Sequence, residues 1–124
     1  RYKKLKNYYI RELLEMRFLT VTLCIFDGRV AVREKTIEAK LVSEVKKRGG
    51  ICTKWVCPSF DGMPDRLVFL PGRHFGMVEV KAPGEKPRPL QVSRHRLLQR
   101  LGFKVYVLDA LEDIGGILDE IQTT

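Results

Sequence analysis

Two acidic residues and a lysine stand at a spacing that suits metal-dependent chemistry. Thirteen residues separate Asp65 from Glu79, and Lys81 follows Glu79 with only Val80 between them. Two carboxylates a few ångström apart repel each other unless a cation lies between them. Mg²⁺ and Mn²⁺ prefer oxygen ligands, polarise a phosphoryl oxygen and acidify a bound water, and a nearby lysine can offset the developing charge. These residue types therefore fit the hydrolysis of a phosphodiester bond.

The surrounding pattern predicts a β-hairpin that brings these side chains together. Two strand-like segments, residues 65–70 and 75–81, flank a turn sequence at 71–74. A turn there pairs residues whose numbers sum to about 145, which sets Asp65 opposite residue 80, give or take one. Alternate residues of a strand share a face, so in the right register all three side chains lie together. A shift of one residue would separate them, and the bare pattern also suits a cross-strand salt bridge.

The hydrophobic periodicity of the rest of the chain predicts a mixed sheet with helices around it. From residue 35 onward the expected order is α-β-β-β-α-β-α, which is an α/β architecture. The predicted helices cover residues 35–48, the segment from Pro89 to Gly102, and 111–121, and the predicted strands cover 51–57, 65–70, 75–81 and 103–108.

The N-terminal part of the sequence predicts an appended arm. Residues 3–17 have the periodicity of an amphipathic helix, and residues 18–33 alternate around Asp27-Gly28, a hairpin signal. We interpret residues 1–33 as this arm and residues 34–124 as the main domain. The longest apolar run, residues 18–26, is too short for a membrane-spanning helix, and the residues after it do not resemble a signal-peptide cleavage site.

The charge of the chain indicates a polyanionic partner. The 124 residues carry a formal net charge of +8. Residues 81–104 hold seven basic side chains and one acidic one, whereas residues 105–124 hold five acidic side chains and no basic one. We therefore expect a basic surface on the loop and helix after Lys81, which suits nucleic acid. A membrane surface and a merely basic, solvated face are the alternatives.

The three cysteines argue for a reducing compartment. Cys24, Cys52 and Cys57 are odd in number and irregular in spacing, so they do not form a disulfide framework. A structural zinc site is not expected either, because it requires four nitrogen or sulfur ligands and no second pair accompanies Cys52 and Cys57.

The segments around the two acids resemble the VRR-NUC (virus-type replication-repair nuclease) family of the PD-(D/E)xK nuclease superfamily. The core of the resemblance is Gly62-Met63-Pro64-Asp65-Arg66 followed by Glu79-Val80-Lys81-Ala82-Pro83-Gly84. Four further features agree with the family: Glu38 in the first helix, Gly49-Gly50, residues 86–91 (KPRPLQ) and residues 101–108 (LGFKVYVL). The resemblance covers about residues 36–118 and says nothing about the N-terminal 33 residues.

This resemblance implies a restriction-endonuclease-like fold and a Mg²⁺- or Mn²⁺-dependent endodeoxyribonuclease. Asp65 and Glu79 match the metal-binding carboxylates of the family. The backbone carbonyl of Val80 matches a further metal ligand, and Lys81 matches the catalytic lysine.

Two more residues receive expected roles from the resemblance. Glu38 stands where related resolvase-like nucleases carry a helix carboxylate that faces the metal, although an ordinary exposed glutamate is an equal alternative. Gln91 matches a glutamine that orients water or contacts DNA near the metal.

The expected DNA contacts and partners follow from the same resemblance and from the basic segment. The candidate DNA-binding residues share the loop and helix after the motif: Lys86, Arg88, Arg94, His95 and Arg96. Small stand-alone members of the family are viral or prophage proteins that dimerise and cut branched DNA such as four-way (Holliday) junctions. We therefore expect a homodimer that acts on DNA in the cytoplasm of a bacterial host, without a membrane partner.

Other interpretations of the same residues remain open at this level. One is a basic module that holds DNA or RNA without cutting it, and another is an exonuclease or restriction-type nuclease on the same fold. Trp55 could stack on a displaced base, but we expect it to pack in the core.

Overall fold

The computed structural model describes residues 33–123 of the chain. Residues 1–32 carry the predicted helix over 3–17 and all but the last residue of the predicted hairpin, so those predictions lie outside the described residues. Among the helices of the described part, none is long and apolar enough to cross a membrane.

The described residues form three helices and four strands in the predicted order, α-β-β-β-α-β-α. The elements are α1 (Glu34–Lys47), β1 (Ile51–Lys54), β2 (Arg66–Leu70), β3 (His74–Val80), α2 (Pro89–Arg100), β4 (Val105–Leu108) and α3 (Asp113–Ile121). The predicted α/β fold class is therefore confirmed.

The four strands form one mixed sheet in the order β1-β2-β3-β4. The first three strands are antiparallel neighbours, whereas β4 returns through α2 to lie parallel to β3. The tight β2–β3 turn depends on positive φ angles of 83° at Gly72 and 66° at Arg73, a conformation that glycine adopts easily and other residues adopt rarely. The hairpin thus folds at the predicted point.

The main hydrophobic core lies on one face of the sheet, under α1 and α3. Helix α1 contributes a stripe at helical spacing, Ile37, Leu41 and Val45, each of which is fully buried. Helix α3 lies close to the sheet at Gly76, where a Cβ atom would come within 2.6 Å of the Ile121 side chain. This packing anchors β3, which carries Glu79, against α3.

A smaller core cluster lies on the opposite face, under α2. Its buried members are Met77, Leu98 and Val105, and partly buried side chains that include Trp55 pack against them. The expectation that Trp55 packs in the core is confirmed.

Three strands are shorter than the sequence predicts, and β2 differs only by its first residue, since it begins at Arg66 rather than at residue 65. Strand β1 ends at Lys54 rather than at residue 57, although the Trp55 N–H still bonds to the Asp65 carbonyl. Strand β4 begins at Val105 rather than at Phe103, because the Phe103 N–H still bonds to the carbonyl of Leu98 at the end of α2.

Candidate active site

Asp65 is fixed at the point where β1, β2 and β3 meet. Its backbone carbonyl accepts a 2.7 Å hydrogen bond from the Trp55 N–H, so Asp65 continues the β1–β2 pairing by one residue. Its side-chain Oδ1 accepts a 3.1 Å hydrogen bond from the backbone N–H of Val80 at the end of β3. The preceding Pro64 is buried and shapes the approach to β2. The carboxylate is therefore oriented by backbone groups rather than by flexible side chains.

The register of the hairpin places Asp65 next to Glu79. The ladder pairs Arg66 with Val78, so residue numbers sum to 144 and the next pair is Asp65 and Glu79. This lies within the predicted range. The backbone N–H of Asp65 also lies close enough to the Glu79 carboxylate to lower its pKa. The two acidic residues thus lie side by side on neighbouring segments of the sheet.

Glu79 is the most buried acidic group of the candidate site, at 4% exposure. Its Oε1 accepts a 2.7 Å hydrogen bond from the side-chain amide of Gln91 and lies 3.3 Å from Nζ of Lys81. Its Oε2 is buried and has no hydrogen-bond partner among residues 33–123. An unpartnered buried carboxylate oxygen is costly, and a bound cation would satisfy it.

Burial is the main cause that raises the pKa values of both carboxyls. The pKa of Asp65 is raised to about 6, by burial first and by the charges of Glu79 and Glu38 in addition, against the lowering effects of the Val80 N–H and Arg66. Burial also raises the pKa of Glu79, against the lowering effects of Lys81, the Asp65 N–H and Gln91. A divalent cation at this place would favour the charged form of both groups.

Helix α1 brings two further carboxylates to Asp65. Carboxylate oxygens of Glu34, Glu38 and Asp65 all lie within 4.8 Å of one another, which is close enough to share one metal ion. Glu38 thus lies beside Asp65, where the resemblance leads us to expect it, and its role in metal binding stays a prediction. Glu34 was not predicted, although its spacing of four residues from Glu38 on one helix face was a usable signal.

Arg66 partly neutralises this acidic cluster. Its Nη2 lies 3.4 Å from Oε2 of Glu38, and both side chains are largely buried, with 14% and 17% exposure. The guanidinium also lowers the pKa of Asp65. Arg66 therefore holds Glu38 near Asp65 and reduces the repulsion between the acids.

Gln91 connects α2 to the carboxylate of Glu79. Pro89 opens the helix, and Oε1 of Gln91 accepts a 2.9 Å hydrogen bond from the Arg88 N–H, which fixes the amide orientation. Its Nε2 then points to Glu79. At 6% exposure, Gln91 touches a predicted metal ligand rather than the protein surface.

His95 differs from its expected position among the DNA-contacting residues. It lies one turn after Gln91 and is only 6% exposed, so the ring is beneath the surface instead of beside the arginines. Burial lowers its pKa, and the charge of Lys81 lowers it further. A neutral, buried ring is not suited to a direct phosphate contact in this conformation.

The remaining candidate DNA-binding residues lie at or near the surface of α2 and the loop before it. Lys86, Arg88 and Arg96 are exposed, and Arg94 is half-buried. Lys104, which the charge count placed in the basic segment, instead donates hydrogen bonds to carbonyls at the end of α3, those of Glu120, Ile121 and Thr123. Its charge therefore stabilises a helix C-terminus.

Comparison with known proteins identifies the family. No family model matches the chain. A protein named "Putative nuclease p44" from Acyrthosiphon pisum secondary endosymbiont phage 1 is 51% identical over 90 residues, which are 73% of this chain and 96% of that protein. A solved structure described as "VRR_NUC domain" has a TM-score of 0.66 and 26% identity, and the match covers 72% of this chain and 97% of that one. Together with the mixed sheet and its clustered acids, these similarities show that the chain belongs to the VRR-NUC family of nucleases.

Proposed function

We propose that this nuclease is a divalent-metal-dependent endodeoxyribonuclease that hydrolyses phosphodiester bonds in branched DNA. The observation that carries the proposal is the buried Oε2 of Glu79, which has no hydrogen-bond partner in the described part of the chain, beside the raised pKa of Asp65. A site that keeps acids buried and incompletely paired is arranged for a cation that it binds in function.

The donor atoms at this place fit Mg²⁺ or Mn²⁺. Asp65 and Glu79 would hold the ion, with the backbone carbonyl of Val80 as a further oxygen ligand and Glu38 and Glu34 within reach of Asp65. Oxygen-only donors are the preference of hard divalent cations. When bound, such an ion polarises the scissile phosphate and lowers the pKa of a water molecule.

Lys81 would supply a positive charge beside the reacting phosphate. Its ammonium nitrogen lies 3.3 Å from Oε1 of Glu79, and its side chain is largely buried, with 16% exposure. From there it can orient the attacking water or stabilise the charge that develops on the phosphate. Gln91 fixes Glu79 through its amide and acts as a positioning residue.

A two-fold DNA substrate favours a dimeric enzyme. One active site of this kind cuts one strand, so a homodimer would present two sites in the symmetry of a four-way junction. The exposed basic residues Lys86, Arg88 and Arg96 would bind phosphates on either side. A relative from a phage supports the proposal that the protein acts in the cytoplasm of a bacterial host.

Cleavage assays on matched substrates test this proposal. We expect the protein to cut a four-way junction with Mg²⁺ or Mn²⁺ and not with EDTA, and to cut closed circular DNA less well. A linear duplex of the same sequence separates preference for branches from preference for sequence, and a circular substrate separates endonuclease from exonuclease activity. Binding without cleavage under all conditions would favour the non-catalytic module, in which the acids are structural. Light scattering or sedimentation of the same samples tests the dimer.

A further inference from the structure

An exposed phenylalanine and an arginine lie together at the loop that leads to Asp65. The ring of Phe60 is 39% exposed, and the guanidinium carbon of Arg94 lies 3.8 Å from its centroid. The Nε of Arg94 donates a 2.9 Å hydrogen bond to the backbone carbonyl of Asp61, the next residue of the loop. The cation is therefore held over the ring by the loop that carries the ring. We call Phe60 and Arg94 the stacking pair.

The stacking pair is fixed to the protein body. Gly62 has a φ of +87°, and a Cβ atom there would lie 3.0 Å from side-chain carbons of both Leu90 and Arg94. The loop backbone thus lies directly against α2 and leaves no space for a side chain. Leu90, which is 45% exposed, extends the apolar surface beside the pair. A rigid, partly exposed aromatic surface costs little entropy when a ligand covers it.

Both members of the pair are connected to the candidate active site by short stretches of chain. Phe60 is five residues before Asp65, a span of at most about 18 Å even when fully extended. Arg94 follows Gln91 by three residues on α2, a rise of about 4.5 Å, and Gln91 contacts Glu79 directly. Whatever covers the pair is therefore within a few nucleotides of the bond to be cut.

The chemistry of the pair suits a nucleobase that is not stacked in a duplex. Aromatic rings and guanidinium planes both stack on base faces, and the arginine charge adds attraction to the nearby backbone. Bases inside a regular duplex do not offer their faces, whereas bases at a branch point, a nick or a single-stranded end do. We infer that Phe60 and Arg94 form a platform for an unpaired or branch-point base, and that this platform selects the DNA structure that the enzyme cuts.

This inference rests on the proposed function, since it takes DNA as the substrate, but it can fail separately. Three variants separate stacking from simple packing. Phe60→Leu keeps an apolar side chain on the loop and removes the ring, Phe60→Trp keeps a stacking surface, and Arg94→Lys keeps the charge and removes the planar group. Phe103→Leu is the matched control, because Phe103 is exposed to a similar degree, 46%, on the loop after α2.

The test uses the full chain and 2-aminopurine placed either at the centre of a four-way junction or inside a fully paired duplex. Titrations in Ca²⁺ give affinity and base fluorescence for each DNA, and cleavage of both DNAs in Mg²⁺ follows. Wild type and the Phe60→Trp variant should change the fluorescence of the junction base. Phe60→Leu should lose that change and bind the junction about 5- to 100-fold less tightly, with duplex binding unchanged.

Two results would overturn the platform while the nuclease remains. One is a Phe60→Leu variant that matches wild type in fluorescence and junction affinity. The other is equal weakening toward junction and duplex with a lowered melting temperature, which would mean that Phe60 only holds the loop. Absence of metal-dependent cleavage by wild type, with a normal fluorescence change, would overturn the proposed nuclease activity and keep the platform.

Discussion

The side-chain amide of Gln91 donates a 2.7 Å hydrogen bond to Oε1 of Glu79, and its own oxygen accepts one from the Arg88 N–H. Gln91 therefore couples the start of α2 to an acidic residue on β3. With one oxygen of Glu79 held by Gln91 and Lys81, the other oxygen, Oε2, is directed elsewhere and is buried without a partner among residues 33–123. The helix that carries the basic surface thus also orients the proposed metal ligand.

Replacement of Gln91 by alanine should weaken metal binding more than it weakens the fold. Groups that orient metal ligands commonly change metal affinity about 10- to 100-fold when removed, and the loss of a buried hydrogen bond costs about 1–3 kcal/mol of stability. Calorimetric titration with Mn²⁺ and chemical denaturation measure the two effects. Gln99→Ala is the control, since Gln99 lies on the same helix and donates only a 3.3 Å bond to the Val105 carbonyl. Equal Mn²⁺ affinities of the two variants would contradict a positioning role.

Replacement of Lys81 by alanine should reduce cleavage by about 10²- to 10³-fold, because the charge that we propose to stabilise the transition state is removed. Binding of uncut DNA should stay within a few fold of wild type. Lys86→Ala, on the exposed loop after the motif, should have the opposite effect. It should lower the affinity for DNA, reduce the salt dependence of that affinity and leave the cleavage rate of the bound enzyme unchanged. Single-turnover rates and anisotropy separate the two. A Lys81→Ala enzyme with a normal rate would remove Lys81 from the site.

The metal-free protein should lose stability as the pH rises from about 4 to about 6. The pKa of Asp65 is raised from 3.8 to about 6 in the folded state, so the folded protein retains a proton that the unfolded chain releases between these values. The state that binds more protons is favoured at low pH, which gives this sign. Urea denaturation in EDTA at several pH values measures the slope. Asp65→Asn should lack this component, and Asp61→Asn, a change at an exposed position in the preceding loop, should keep it. A large loss of stability in Asp65→Asn at every pH would indicate that the carboxylate is structural.

Glu34 should contribute to metal affinity in addition to Glu38. Both carboxylates lie within 4.8 Å of Asp65 oxygens, so the neutral variants Glu34→Gln and Glu38→Gln should each weaken Mn²⁺ binding by about 10-fold. Glu44→Gln is the control, because Glu44 lies further along α1 and pairs with Lys40 and Lys47 at 3.1 Å. If Glu34→Gln binds Mn²⁺ as Glu44→Gln does, its proximity has no role in metal binding.

The position of the acidic pair could be predicted from the sequence because turn chemistry fixes register. The turn at 71–73 requires positive φ at two consecutive residues, and from that point the pairing of Asp65 with the end of β3 is obtained by counting. The order of helices and strands could also be predicted, because each element carries a clear hydrophobic period. The resemblance of residues 36–118 to the family assigned expected roles to individual side chains, which the count of strand register could not do.

The inward face of α2 could not be predicted from periodicity. Its buried residues are Gln91, His95 and Leu98, whereas Leu90 is 45% exposed. A hydrophobic pattern assigns polar residues to the surface, but here the partners of the polar side chains come from distant strands. The same reason explains Lys104, whose charge was counted in the basic segment 81–104 although its nitrogen donates a hydrogen bond to a carbonyl at the end of α3.

Crystals soaked in Mn²⁺ test the central claim most directly, because anomalous scattering locates the ion without assumptions about the reaction. The account predicts a peak between Asp65 and Glu79, at about 2.1–2.3 Å from a carboxylate oxygen of each and from the Val80 carbonyl. Soaks of the Glu79→Gln variant should show a weaker peak or none. Wild-type crystals with Mn²⁺ only at other positions, or with Asp65 and Glu79 turned away from an ion that binds elsewhere, would contradict the account.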